Sequence, residues 1–377
     1  MSFVNEERTL QGLVFEKDGA KKIQTAITNA QASGKTQCVV SGNLEIEETV
    51  FLPSNFTLIL EDCHLRMADN TFCNMFSNDG REKDGNYNLR ILGRGRAVLD
   101  GGNYNGLSEE NSMKEGNPHV RVNNVIFFAN VEEFVVSDIQ VRNQRWWAMQ
   151  FICCRFGRIQ HVDFRADDTV ICADGTRKHY ICRQDFKDKI AVSPYIRNAD
   201  GIDIRCGCHD ILIDDITGFT EDDTVAVTGL PNKSTLDFVK NLPVDIYNIT
   251  IRSVNSTTNC GNVRLLNRGG VKLYNVLIDG VMDSAHGSPH ADKGSYAVRI
   301  GDDYSYGGRE ATKDETFNIT VRNIYSSACS VVDLNGDITN LTVENVYGCQ
   351  GAGEWGLLTN KATLYGDCRV EAVKNMP

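Results

Sequence analysis

Asn248-Ile249-Thr250-Ile251-Arg252-Ser253-Val254 carries a pattern that recurs along this chain: apolar, any, apolar, any, any, apolar. The spacing returns as Phe134-Val136-Ile139, Ile211-Ile213-Ile216, Val276-Ile278-Val281, Ile319-Val321-Ile324 and Leu341-Val343-Val346. A weaker copy has Gly157 in the first slot, followed by Ile159 and Val162. First slots fall at 134, 157, 211, 249, 276, 319 and 341, so the steps are 23, 54, 38, 27, 43 and 22 residues. The short steps define a coil of about 22–27 residues; the long ones are coils with insertions, or two coils in one gap. Asp210, Asn248, Asn275, Asn318 and Asn340 precede the first slot. Asparagine and aspartate tolerate a left-handed backbone and mark a turn. Alternation with period two then predicts a strand. The third apolar residue breaks that alternation and marks a bend into a second short strand. Short strands at a coil-length period describe a solenoid. A β-sandwich would instead place turns about every 8–12 residues with no such repeat. The expected class is all-β, a single parallel β-helix.

Residues 18–33 predict a helix at its start. Asp18 is the candidate N-cap and Gly34 the stop. Ile23, Ala26, Ile27 and Ala30 form its apolar stripe, suited to covering the open end of a solenoid. With coils over about 37–365, the chain reads as one domain spanning 1–377. Residues 103–119, 166–197, 229–243 and 282–296 interrupt the coils and are expected to wall a cleft.

The 377 residues include 33 glycines, only 7 prolines and no linker-like stretch. A net charge of −11 argues against nucleic acid as a partner. No apolar run reaches the roughly 18 residues of a spanning helix, and none near Met1 has signal-peptide length. A cytoplasmic protein is expected, with the 13 cysteines as reduced thiols. Cys206-Gly207-Cys208 lacks a second pair at ligand spacing, so no metal and no cofactor is expected.

Asp200 and the pair Asp222-Asp223 are 22 residues apart, about one coil. They would then lie on adjacent rungs. Clustered carboxylates repel one another and shift each other's proton affinity, which is the condition for pairing an acid with a base. Inverting glycoside hydrolysis uses such a set. Adjacent strand residues point to opposite sides, so Asp222 and Asp223 need a bend to reach one cleft. Asp214-Asp215 and Asp302-Asp303 are read as ordinary turns. One of Trp146 and Trp147 is expected to face the cleft.

These features together resemble the right-handed parallel β-helix hydrolases of the polygalacturonase family, from the cap helix to about residue 346. Leu52-Pro-Ser-Asn-Phe-Thr-Leu58 and Ile91-Leu-Gly-Arg-Gly95 with Leu99-Asp-Gly-Gly102 resemble its early coils. Asn198-Ala199-Asp200 is similar to its Asn-Thr-Asp, and Glu221-Asp222-Asp223 to its Gly/Gln-Asp-Asp. Ala297-Val298-Arg299-Ile300 resembles its Arg-Ile-Lys segment. The resemblance implies Asp222 as general acid, with Asp200 and Asp223 activating water. Asn198 would orient Asp200. Arg299, Arg264 and Arg268 are candidate cations for a uronate, and Tyr304 and Tyr306 candidate stacking surfaces. Two departures stand out. The family's histidine motif reads Asn259-Cys260-Gly261-Asn262 here, and its lysine is Gly301. His286 or His290 is a candidate replacement. The expected partner is a short oligosaccharide, acted on from its end, with a homo-oligomer left open. The alternatives are a β-helix lyase, transferase or epimerase, or a carbohydrate-binding protein without activity.

Overall fold

A computed structural model describes residues 13–81, 84–103, 123–145, 147–166, 199–231, 241–283, 294–302, 308–349 and 351–376. It also describes the backbone of 169–172, 177–179 and 190–192. The strands stack into two long parallel sheets of 12 and 10 strands. Each coil contributes one long bent strand to the first sheet and one short strand to the second. Parallel strands joined by crossovers in one sheet are right-handed in nearly all cases. The architecture is a right-handed parallel β-helix, as the repeat predicts.

All seven first slots share one register column. Phe134 pairs with Gly157, Gly157 with Ile211, Ile211 with Ile249, then Val276, Ile319 and Leu341 follow. Leu89 and Phe56 extend the column by two earlier coils. Every step from 22 to 54 residues is therefore a single coil, and the long ones carry insertions. The second-slot residues form an inward stack of Leu58, Ile91, Val136, Ile159, Ile213, Ile251, Ile278, Val321 and Val343, all fully buried. One continuous apolar core runs from Ala20 on the helix to Val346.

The residue before each first slot is left-handed: Asp210, Asn248, Asn275, Asn318 and Asn340 all have φ of 54–56°. Their side chains form a chain of hydrogen bonds along the outside. Asn340 donates to Asn318, Asn318 to Asn275, Asn275 to Asn248 and Asn248 to Asp210, at 2.9–3.1 Å. A second left-handed residue makes the bend, at Asp138, His161, Asp215, Ser253, Gly280, Asn323 and Asn345. Asp214-Asp215 is thus a turn, as expected, with Asp214 paired to Arg252 at 2.7 Å. Asp302 differs. It is buried and faces Arg268 at 3.4 Å, so it is an internal ion pair and not a solvated turn; Asp303 lies outside the described residues.

The helix spans Gly19–Ala32 and buries Ala20, Ile23, Ile27 and Ala30, while Ala26 stays half-buried. Asp18 does not cap it with its side chain. Asp18 is itself left-handed, at φ 58°, and only its carbonyl receives the Lys22 N–H. Gln24 closes the sheet edge instead. Its amide donates to the Phe51 carbonyl at 3.1 Å and accepts the Phe51 N–H at 2.8 Å, as a strand would. The coils run further than 365, because Arg369–Asn375 pairs with Asp337–Gly348. The insertion over 166–197 contains three short antiparallel strands, Thr169–Cys172, Arg177–His179 and Ile190–Val192. Most of the other interruptions lie outside the described residues. No described helix is long and apolar enough to cross a membrane.

Replacing Asn275 tests the outer ladder. Asn275→Ala loses two side-chain hydrogen bonds and places a Cβ residue at φ 54° without local compensation. We expect a loss of about 1–2 kcal/mol in chemical denaturation. Asn275→Gly relieves the backbone and should lose less. The reverse order would show that backbone handedness does not set stability at this turn.

Candidate active site

The short sheet positions the candidate residues. Asp200–Arg205, Val225–Gly229, Gly261–Asn267 and Tyr296–Ile300 are successive rungs. Ile202 and Ile204 point into the core, so Asp203 and Arg205 face outward by alternation. Gln150, Asp203, Ala226, Arg264, Arg299 and Asp333 form one outward column.

Residues 221–224 lie between strands, so Asp222 and Asp223 are not held to strand alternation. The bend is fixed through its backbone. The Asp222 carbonyl accepts Thr220 Oγ1 at 2.8 Å and Thr258 Oγ1 at 2.6 Å. Its N–H donates to the Ala199 carbonyl at 3.4 Å, and the Gly201 N–H donates to the Asp223 carbonyl at 2.9 Å. These contacts lay Asp222-Asp223 beside Asp200. Glu221 accepts the Ala199 N–H at 3.3 Å, and Gln144 donates to the Ala199 carbonyl at the same distance. Both strengthen that junction.

Asp200, Asp222 and Asp223 line one small cavity together with Trp147, Asp203, Arg205, Thr228, Leu230, Arg264 and Leu266. Its free volume is about 30 Å³. All four aspartates and both arginines are at most 7 % exposed. Arg205 lies over the Trp147 ring at 4.9 Å and 3.9 Å from Asp203. Arg264 Nη1 is 3.7 Å from Asp223 Oδ2.

On the other side of Asp223 stands Tyr296, whose hydroxyl donates to Oδ1 at 2.9 Å. Cys260 Sγ is 3.4 Å from that hydroxyl. Ligand atoms of Asp222, Asp223 and Cys260 lie within 4.8 Å of one another. Desolvation, then the carboxylates of Asp222 and Asp223, push the Cys260 thiol well above its usual range. Desolvation, then Asp223, does the same to the Tyr296 phenol. Both groups therefore keep their protons. Asp222, Asp223 and Cys260 are the candidate donors for a cation, but the set is a poor one. It mixes carboxylate oxygens with a protonated thiol, and Arg264 already faces Asp223. Calcium prefers six to eight oxygens.

The candidates of the sequence divide clearly. Asp200, Asp222, Asp223, Arg264 and Trp147 meet at the cavity. Arg299 is one rung further on, 3.2 Å from Asp333, with its guanidinium 5.6 Å from the Tyr296 ring. It does not line the cavity. Arg268 is engaged with Asp302. Asn198, His286, His290, Tyr304, Tyr306 and Trp146 lie outside the described residues. Four residues were missed: Asp203, Arg205, Cys260 and Tyr296. The apolar alternation of Ile202 and Ile204 would have turned the first two outward. The last two had only a weak signal, the Cys260-Gly261 step. A Cβ at Gly261 would fall 1.9 Å from Tyr296 Cε2, so the glycine makes room for that ring.

No family profile matches the chain, and no curated protein sequence does either. Solved structures of similar fold include polygalacturonases and related glycosyl hydrolases. A family 28 exopolygalacturonase of Yersinia enterocolitica is 14 % identical, with a TM-score of 0.46 over 97 % of this chain and 76 % of that one. A polygalacturonase of Erwinia carotovora is 14 % identical, with a TM-score of 0.44 over 94 % and 89 %. A surface protein and adhesin of Streptococcus pneumoniae is as near, 13 % identical at a TM-score of 0.44 over 98 % of both chains. Likeness at this level carries no argument about activity, which rests on the residues at the cavity.

Proposed function

We propose that this protein is an inverting glycoside hydrolase that acts on the end of a short oligosaccharide. One observation carries the reading: carboxylates from two successive coils, Asp200 on one and Asp222-Asp223 on the next, line a single buried cavity. Asp222 is the general acid that protonates the leaving oxygen. Asp200 and Asp223 hold and deprotonate the attacking water. Inversion requires acid and base about 6.5–9.5 Å apart, on opposite faces of the sugar ring; carboxylate oxygens of Asp222 and Asp223 lie within 4.8 Å of each other, so on this reading the two must part around a bound sugar. Attack at a chain end is part of this proposal, from the short oligosaccharide expected as substrate, for a cavity that is partly open. Its 30 Å³ holds water and no sugar ring, since ligand sites span roughly 300–1,000 Å³. A substrate therefore needs more room than the described lining leaves, and Leu230 and Leu266 are among its apolar side chains.

Arg264 is the cavity cation closest to Asp223 and the candidate grip on a substrate carboxylate. A lysine at position 301 cannot assist. Gly301 has φ 83°, and a Cβ there would lie 1.8 Å from the Asn335 carbonyl oxygen. The backbone itself excludes the side chain. We also propose a reducing compartment, the cytoplasm, for the work of this enzyme. Burial raises the buried thiols of Cys153, Cys206 and Cys208, which suits a core kept reduced.

Two experiments follow. A panel of uronate and neutral oligosaccharides, with NMR of the first-formed anomer, should show inversion. Asp222→Asn should lower kcat by about 10²–10⁴-fold. A retained anomer, or activity surviving Asp222→Asn, would reject the mechanism. Gly301→Lys should destabilise the fold by about 2 kcal/mol or more without improving uronate binding. A stable variant with tighter uronate binding would show that the backbone at 301 adapts.

A further inference from the structure

We propose that Arg205 is a substrate-binding residue that selects an acidic sugar by gripping its carboxylate. The inference rests on the hydrolase reading above and deepens it, by naming the charge of the sugar and the residue that reads it. Arg205 is 3 % exposed and lines the cavity together with the aspartates. A guanidinium carries five N–H donors in a planar fork. Among the described residues, none of these five makes a hydrogen bond. Nε is fully buried without a partner, and Nη1 stands 3.9 Å from Asp203 Oδ1, beyond hydrogen-bond reach. A residue whose task was to neutralise Asp203 would sit against it. Buried polar groups are nearly always hydrogen-bonded, so a buried cation with spare donors at a cavity wall is suited to receive an anion. Arg264, the other cavity cation, already faces Asp223 at 3.7 Å.

The strands explain how Arg205 comes to face that space. Two outward columns line the cavity. Asp203, Ala226 and Arg264 form one, and Arg205, Thr228 and Leu266 form the other, two residues further along the strands. The middle rung contributes only the short side chains of Ala226 and Thr228, so the space lies between longer neighbours. The Arg205 guanidinium lies over the Trp147 ring at 4.9 Å. Trp147 is the register partner of Asp200, whereas Arg205 closes the strand that Asp200 begins. The two side chains therefore reach toward each other, which brings the guanidinium back toward the carboxylates. Contact with an indole restrains the plane of the fork. A planar fork takes a carboxylate through two parallel hydrogen bonds. The four aspartates around the cavity disfavour an acidic sugar, because like charges brought together repel. A cation with unspent donors offsets that repulsion and favours a carboxylate over an alcohol at the same place.

The test uses the full chain and pairs of oligosaccharides of equal length, one built of uronates and the other with its carboxyls reduced to alcohols. Calorimetry reads the binding of each, and kcat/KM reads their turnover. The unaltered chain should prefer the uronate, and the preference should weaken as salt rises. Arg205→Met should cut the ratio of uronate to neutral affinity by about 10- to 100-fold, as expected for lost hydrogen bonds to a charged group. Arg205→Lys keeps the charge without the fork and should restore that ratio only in part. Should Arg205→Met not fold, Arg205→Lys against the unaltered chain makes the comparison, and a lowered ratio is again the expected result. Equal binding of the two sugars by the unaltered chain, or equal losses on both in the variants, would overturn the inference and leave Arg205 as packing for Trp147. The two readings fail separately. Activity surviving Asp222→Asn sinks the hydrolase reading, while the affinity ratio of the Arg205 variants still decides whether Arg205 grips a carboxylate.

Discussion

The vertical register between coils is the constraint on which everything else stands. Inward Ile and Val side chains stack on one another from Leu58 to Val343. A slip of one residue would turn that whole column to the outside. The left-handed residues before each first slot add a second, independent lock. Asn340, Asn318, Asn275, Asn248 and Asp210 are hydrogen-bonded in sequence along the outer surface. Because both columns must close, an insertion cannot shift the coil. A 54-residue step and a 22-residue step end at the same place on the rung.

That constraint delivers the site. Asp200 and Asp222-Asp223 come together because the rungs of the short sheet are fixed by the rungs of the long one. The junction is then secured by the Thr220 and Thr258 hydroxyls and the Ala199 carbonyl, all bonded to the Asp222 backbone. The result is a cavity lined by four aspartates and two arginines, each nearly excluded from water. In such a place the position of each donor decides which carboxyl keeps a proton. Cys260 stands beside Asp222 and Asp223 with its thiol protonated. Among the described residues, Arg264 and the Tyr296 hydroxyl both face Asp223.

The fold was legible in good part. The three-slot pattern marked the strands and the bend, and the asparagines marked the left-handed turns. It did not reveal that Glu133 and Phe156 take the same backbone in two coils, since neither residue type favours it. Asp18 looked like a cap and is a left-handed residue instead, because the chain enters the helix from a tight turn. Asp302 looked like a turn and is an internal partner of Arg268. Arg299 looked like a substrate anchor and stands against Asp333. These misreadings share one cause. A charged residue in a solenoid is placed by its neighbours one rung away, and those are 20 to 50 residues distant in the chain.

By itself the sequence determined the coil, its period, the bends and the alignment of Asp200 with Asp222-Asp223. Those follow from local alternation and turn chemistry, repeated often enough to fix a register. Only the tertiary structure decided which polar groups meet at the cavity. Tyr296 reaches Asp223 across 73 residues of chain, over a glycine one rung before it. Arg264 arrives from the coil after the aspartates and Arg205 from the coil of Asp200. Burial and charge act through space, so the company each aspartate keeps becomes visible once the rungs are stacked.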